Sequence, residues 1–209
     1  MKSPQFFLLS IHFVELVTAI TISLVWNKYK HTTERKFIYF FWIVFFVDTL
    51  GTTMAYITKI NNQFIYNSLL IFYFVFFTIW YKSVLKNKNQ LLAIVLVIYL
   101  ILLGISFVKE GFTETLQTIS YFGTCLAVIT YAVSYYFQLL NSEKILGLKT
   151  NLPFWITMGN IIYFVGLLPL VLFQKYLNIS LLSYSIILTL LNWVTYTCYI
   201  LGFTWMKNK

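Results

Sequence analysis

The sequence predicts an all-α polytopic membrane protein: a seven-transmembrane-helix bundle with its N-terminus outside and its C-terminus cytoplasmic. Three observations carry that prediction. Hydrophobic residues fill 60% of the 209 positions and charged residues only 10%, whereas a soluble domain usually has about 25% charged residues. Apolar runs of crossing length recur seven times, a transmembrane helix needing about 20 residues with roughly 17 to 25 tolerated. The basic residues between the runs fall into alternate connections, as the positive-inside bias requires.

The runs cover approximately 6–26, 37–58, 64–80, 91–108, 118–140, 154–173 and 181–205. Each is continuously apolar instead of alternating at period two, which sets strands aside. Span 1 follows Lys2 alone and precedes Lys28, Lys30, Arg35 and Lys36, the reverse of a secretory signal, so it is expected to stay in the mature protein. Span 2 carries Asp48 and span 3 carries Asn67, while span 4 has no polar signature. Spans 5 and 6 are joined by 141–151 (NSEKILGLKTN), which reads equally as a short amphipathic surface piece and as a plain loop. Span 6 meets Pro169 near its end, and span 7 carries Asn192 at depth. No room remains for a soluble domain, so 1–209 is expected to be a single transmembrane helical domain.

Of the 15 Lys and Arg, 11 lie after spans 1, 3 and 5 and at the C-terminus; Lys2, Lys59, Lys109 and Lys175 are the others. Trp26, Trp42, Trp80, Trp155 and Trp205 cluster near the same ends as the 11, as an interfacial belt does. The net charge of +9 therefore orients helices and meets anionic headgroups of the lipid bilayer. No basic run is interleaved with exposed aromatics, so nucleic acid is not an expected partner. The lysine-rich, arginine-poor composition reads as bacterial, which makes the cytoplasmic (inner) membrane the expected location. Cys125 and Cys198 fall inside spans, outside CxxC spacing and away from His, so no metal and no cofactor are expected.

A weak internal repeat is visible. Phe41-Trp42-Ile43 in span 2 matches Phe154-Trp155-Ile156 in span 6. Asn67, Trp80 and Lys82 match Asn192, Trp205 and Lys207 at the same spacing. Spans 1–3 and 5–7 would then be parallel triplets joined by span 4, a 3+1+3 arrangement of the kind from which transporters are built. The plainer reading is that Trp and Lys mark one interface in both places.

Ionisable residues inside spans are the strongest functional signal, because each costs at least about 2.5–3.5 kcal/mol at the bilayer centre. His12 and Glu15 share one face of span 1 at spacing i, i+3, continued by the small residues Ala19 and Ser23. Asp48, Gly51, Thr52 and Ala55 form a stripe on span 2. At about 1.5 Å per residue, Glu15 and Asp48 both lie roughly 16–17 Å from the cytoplasmic boundary, with His12, Asn67 and Asn192 less than a turn further out. A ligand or proton site made of Glu15, Asp48, His12, Asn67 and Asn192 is thus geometrically open to the chain. The alternative is that Glu15 and Asp48 are interhelical hydrogen-bond glue. In span 6, Gly159, Asn160, Tyr163, Gly166 and Pro169 suggest either a hinge or tight packing beside another helix.

Seven helices with an outside N-terminus resemble retinal proteins, but span 7 holds Thr189, Asn192 and Thr195 where a Schiff-base lysine would stand. Parallel triplets around a fourth helix resemble SWEET-type and nicotinamide-riboside transporters. The proline-glutamine motif of the first and the paired-tryptophan pattern of the second are absent, so that resemblance implies architecture alone. The segments IYNSLLIFYFVFFTIWYK in span 3 and FWITMGNIIYFVG in span 6 resemble those of small uncharacterised bacterial seven-transmembrane-helix proteins. That resemblance implies a membrane component without an assigned activity, working beside a signalling kinase.

The leading expectation is therefore a receptor-like or scaffold component without catalytic activity. Its output would pass through a membrane protein partner or a homo-oligomer, since no cytoplasmic connection exceeds about a dozen residues. The alternative is a small-solute transporter with a midplane carboxylate site. An intramembrane enzyme is the third reading: His12, Glu15 and Asp48 could in principle hold a metal, with Asn67 as an extra ligand, but spans 5–7 hold no His and no protease constellation is present, which disfavours it.

Overall fold

A computed structural model describes residues 3–58, 61–173 and 180–206; Lys2, Lys59, Lys175 and Lys207 lie outside them. The described residues fold into long helices: α1 (Ser3–Leu24), α2 (Phe37–Thr53), α3 (Gln63–Val84), α4 (Asn89–Lys109), α5 (Thr118–Leu140), α6 (Leu152–Phe173) and α7 (Leu181–Trp205). Six stretches are long and apolar enough to cross a membrane, Thr33–Thr53 (α2 with the 3-10 turn before it) and those of α3 to α7, and α1 adds the shorter apolar stretch Leu9–Leu24. The chain is a multi-pass helical membrane protein.

The ends of the helices differ from the apolar runs for local reasons. α3 continues past Trp80 to Val84, since Lys82 near a helix C-terminus meets the negative end of the dipole. α2 gives way to a π-helical turn, Met54–Thr58, which completes the second run. The 141–151 connection is a 3-10 stretch, Glu143–Thr150, broken at Gly147.

Six helices close a ring in the order α1, α2, α3, α5, α6, α7, with α7 returning to α1. α4 stands outside the ring against α5. Its composition explains the position. With a mean hydropathy of 3.1 it is apolar all round, and Leu92, Tyr99 and Ser106 are its buried residues. Tyr99 stacks on Phe74 with ring centroids 3.5 Å apart and lies against Gly123, where a Cβ would come within 3.3 Å of the ring.

The half of the bundle that carries the Trp belt is filled with rings. Phe37 meets Phe76 edge-on at 4.9 Å, Phe40 stacks on Phe76 at 4.3 Å, and Phe41 reaches Tyr199 at 5.2 Å. Phe203 joins Tyr29 at 4.8 Å. Such pairs contribute about 0.5–1.5 kcal/mol each beyond the area they bury. At the same end Lys28 Nζ donates to the carbonyl of Thr204 over 2.8 Å, satisfying an acceptor in the last turn of α7. Cys125 and Cys198 are buried free thiols within α5 and α7.

Candidate functional site

The opposite half of the ring is hollow. A cavity of about 380 Å³ lies between the N-terminal halves of α1, α3 and α7, the start of α5, and the C-terminal halves of α2 and α6. Its wall is largely aromatic and aliphatic, with Tyr66, Tyr73, Tyr121, Tyr163 and Tyr184 among the lining residues. His12, Glu15 and Asp48 converge on one side of it.

α1 supplies two of the three because a helix places i and i+3 on one face. His12 Nδ1 stands 3.5 Å from Glu15 Oε2 and 3.3 Å from Asp48 Oδ2 of α2. His12 Nε2 lies 3.0 Å from Thr52 Oγ1, one turn beyond Asp48, which fixes the ring plane. Thr52 in turn is 3.5 Å from the Tyr66 hydroxyl of α3, which also lies beside Asp48. Tyr66 comes this close because Gly51 has no Cβ; one there would sit 3.3 Å from the phenol. On the far side Tyr196 of α7 donates to Glu15 Oε1 over 3.1 Å. Glu15 is buried, whereas the His12 and Asp48 side chains keep 13% and 20% of their surface open. The cluster therefore faces the cavity through His12 and Asp48 and is held from behind through Glu15.

Chemically, this is an acid-rich pocket with one imidazole. One ligand atom from each of His12, Glu15 and Asp48 lies within 4.8 Å of the others, near enough to share a cation. No known protein family, curated protein or solved structure matches the chain.

Of the five residues singled out by depth, the structure places His12, Glu15, Asp48 and Asn192 on the cavity and Asn67 apart from it. Asn67 is buried away from the cavity. Its Nδ2 donates to the carbonyls of Phe112 and Thr115 at 2.8 and 2.9 Å, and its Oδ1 accepts from the Gln117 amide at 2.9 Å. It clamps the α4–α5 connection. Asn192 lines the cavity but turns its Nδ2 to its own helix, 2.8 Å from the Leu188 carbonyl.

The α6 residues also divide. Gly159 receives α7 at close range, and Thr195 Oγ1 donates to its carbonyl over 3.3 Å. Asn160 is buried, accepting from the Tyr199 hydroxyl at 2.6 Å and donating to Tyr81 at 3.3 Å. Gly166 packs against Leu191, and Pro169 sits inside an unbroken helix with its ring exposed. Tyr163 lines the cavity.

The residues that sequence reasoning passed over are tyrosines, above all Tyr66 and Tyr196. A signal existed for Tyr196. It stands one turn from Asn192 on the same face of α7 and so comes level with Glu15.

Proposed function

We propose that this chain is a solute-binding protein of the bacterial inner membrane, of transporter type, which takes a small polar solute into the His12–Glu15–Asp48 cavity from outside. The observation that carries the reading is the cavity itself: it is walled by all six ring helices and holds His12, Glu15 and Asp48 on one side. In this reading α1 also crosses, giving seven spans with the N-terminus outside. The cavity then opens at the end with few positive charges, where the positive-inside bias puts the exterior.

The 3+1+3 repeat belongs to the same proposal. Support comes from the ring order, in which α1-α2-α3 and α5-α6-α7 follow each other around the ring and α4 is the excluded connector. Rocking of two such triplets about a shared site is the usual route to alternating access. Here it would part the aromatic layer and release the solute inward.

Purified protein in liposomes, offered a panel of small solutes, should show uptake that Asp48→Asn abolishes while the protein stays folded and inserted. A fully active Asp48→Asn variant would remove the carboxylate from the mechanism. A second reading is a receptor-like component acting through a membrane partner, for which the same cavity would be the ligand site. Recovery in mild detergent of a stoichiometric partner with its own cytoplasmic domain, together with no uptake of any solute, would select that reading.

A further inference from the structure

We propose that His12 Nδ1, Glu15 Oε2 and Asp48 Oδ2 are three ligands of a site for a divalent first-row transition metal ion, Zn²⁺ or Mn²⁺ in class, with its remaining positions open to the cavity. This deepens the solute-site reading above and rests on it for the route of entry, but binding can be measured without transport.

The distances argue for an ion between the three atoms. A hydrogen bond from an imidazole N–H spans about 2.7–3.2 Å, and one Nδ1 proton cannot serve two carboxylates well. The observed separations are 3.3 and 3.5 Å. Ligands held at about 2.0–2.1 Å from a tetrahedral ion stand roughly 3.3–3.4 Å apart. The two edges from Nδ1 to the carboxylate oxygens are therefore near the edge length of a coordination polyhedron, and all three groups offer ligand atoms within 4.8 Å of one another.

The groups behind the ligands are also those a metal site uses. A ligating imidazole is oriented through its second nitrogen, and here Nε2 faces Thr52 Oγ1 at 3.0 Å. The free oxygen of Glu15 is held by the Tyr196 hydroxyl at 3.1 Å, and Asp48 has the Tyr66 hydroxyl beside it. Charge gives a third reason. Two carboxylates and a neutral imidazole carry −2, which a divalent cation cancels, so the loaded site would be neutral in a low dielectric. One nitrogen and two oxygens suit Zn²⁺, Co²⁺ or Mn²⁺ better than a soft ion that seeks thiolate. The cavity, far larger than an ion, leaves space for waters on the open side and for exchange.

The test uses the full chain, purified in detergent with a tag other than polyhistidine and stripped with chelator. Titration with Co²⁺, read by its visible absorption, should saturate at one equivalent, and Zn²⁺ should displace it. His12→Gln and Asp48→Asn should each abolish the cobalt spectrum. Tyr66→Phe, which keeps the ligands and the fold, should weaken binding about 10-fold or more. Elution as a single symmetric peak checks folding in each case. Absence of binding by wild type, or equal binding by wild type and the His12 and Asp48 variants, would overturn the metal site. Uptake of an organic solute by protein that binds no metal would do the same while leaving the solute-binding proposal standing.

Discussion

Tyr196 Oη and Glu15 Oε1, on the last helix and the first, are joined by a 3.1 Å hydrogen bond that closes the ring of six helices. The bond is buried, so no water replaces it when one partner goes. Tyr196→Phe should lower stability by about 0.6–1.7 kcal/mol, the range found for such contacts inside membranes. Glu15→Gln and the double variant complete a cycle. Thermal unfolding in detergent reads it, and strict additivity of the two substitutions would show that the pair is not coupled.

Close approach between α6 and α7 makes a graded prediction. A Cβ at Gly202 would come within 2.6 Å of Trp155 Cβ, an atom fixed to the backbone. One at Gly166 would press still more closely on Leu191 Cδ2, the far end of a flexible side chain. Gly202→Ala should therefore destabilise by about 1–3 kcal/mol. Gly166→Ala should cost less, despite its shorter contact, and Leu191→Ala should rescue it. Melting temperatures in the reverse order would refute the argument.

The two asparagines at similar depth should respond differently. Asn67→Ala leaves two carbonyls and an amide in the α4–α5 connection without their partner, a loss of roughly 1–3 kcal/mol per unpaired buried group. Amide exchange across 111–117 should accelerate strongly. Asn192→Ala removes one bond to its own helix, which already has its backbone ladder, and exchange in that connection should not change.

Glu110 links the end of α4 to the start of α5. Burial works to raise the pKa of its carboxyl. Hydrogen bonds from the hydroxyls of Ser106 (2.6 Å) and Thr118 and from the Ile119 amide (3.1 Å) outweigh this and hold it below its ordinary 4.5. The folded-state value is the depressed one. The contact therefore contributes stability that is complete above the ordinary value and is lost as pH falls through the lower one. Wild type should melt above Glu110→Gln at neutral pH, and the gap should close on acidification below about pH 4. A gap that widens in acid would reverse the sign and reject the assignment.

How much of this was legible beforehand depended on which physical signal each residue leaves. The α5 and α7 boundaries coincide with the apolar runs 118–140 and 181–205, because a long apolar stretch leaves a membrane helix few other options. His12, Glu15 and Asp48 stood out because charge is rare in such spans, and helical rise alone brings them level. Asn67 was level too, yet it turns to a connection, since rise gives depth and says nothing of rotation about the helix axis. Tyr66 and Tyr196 were hidden for another reason. In spans this rich in Phe, a ring reads as packing, and only the folded arrangement shows where its hydroxyl ends.

The ring-packed half of the bundle sets the thermal character of whatever motion the cavity undergoes. Phe37, Phe40, Phe41 and Phe203 are all but fully buried, and they meet through ring faces and edges. Parting them mainly wets apolar surface. Wetting of that kind raises the heat capacity and is opposed less strongly as water cools. A conformational change that opens this half should accordingly carry a curved van't Hoff plot, and cold should ease it more than it would a gate held by ion pairs.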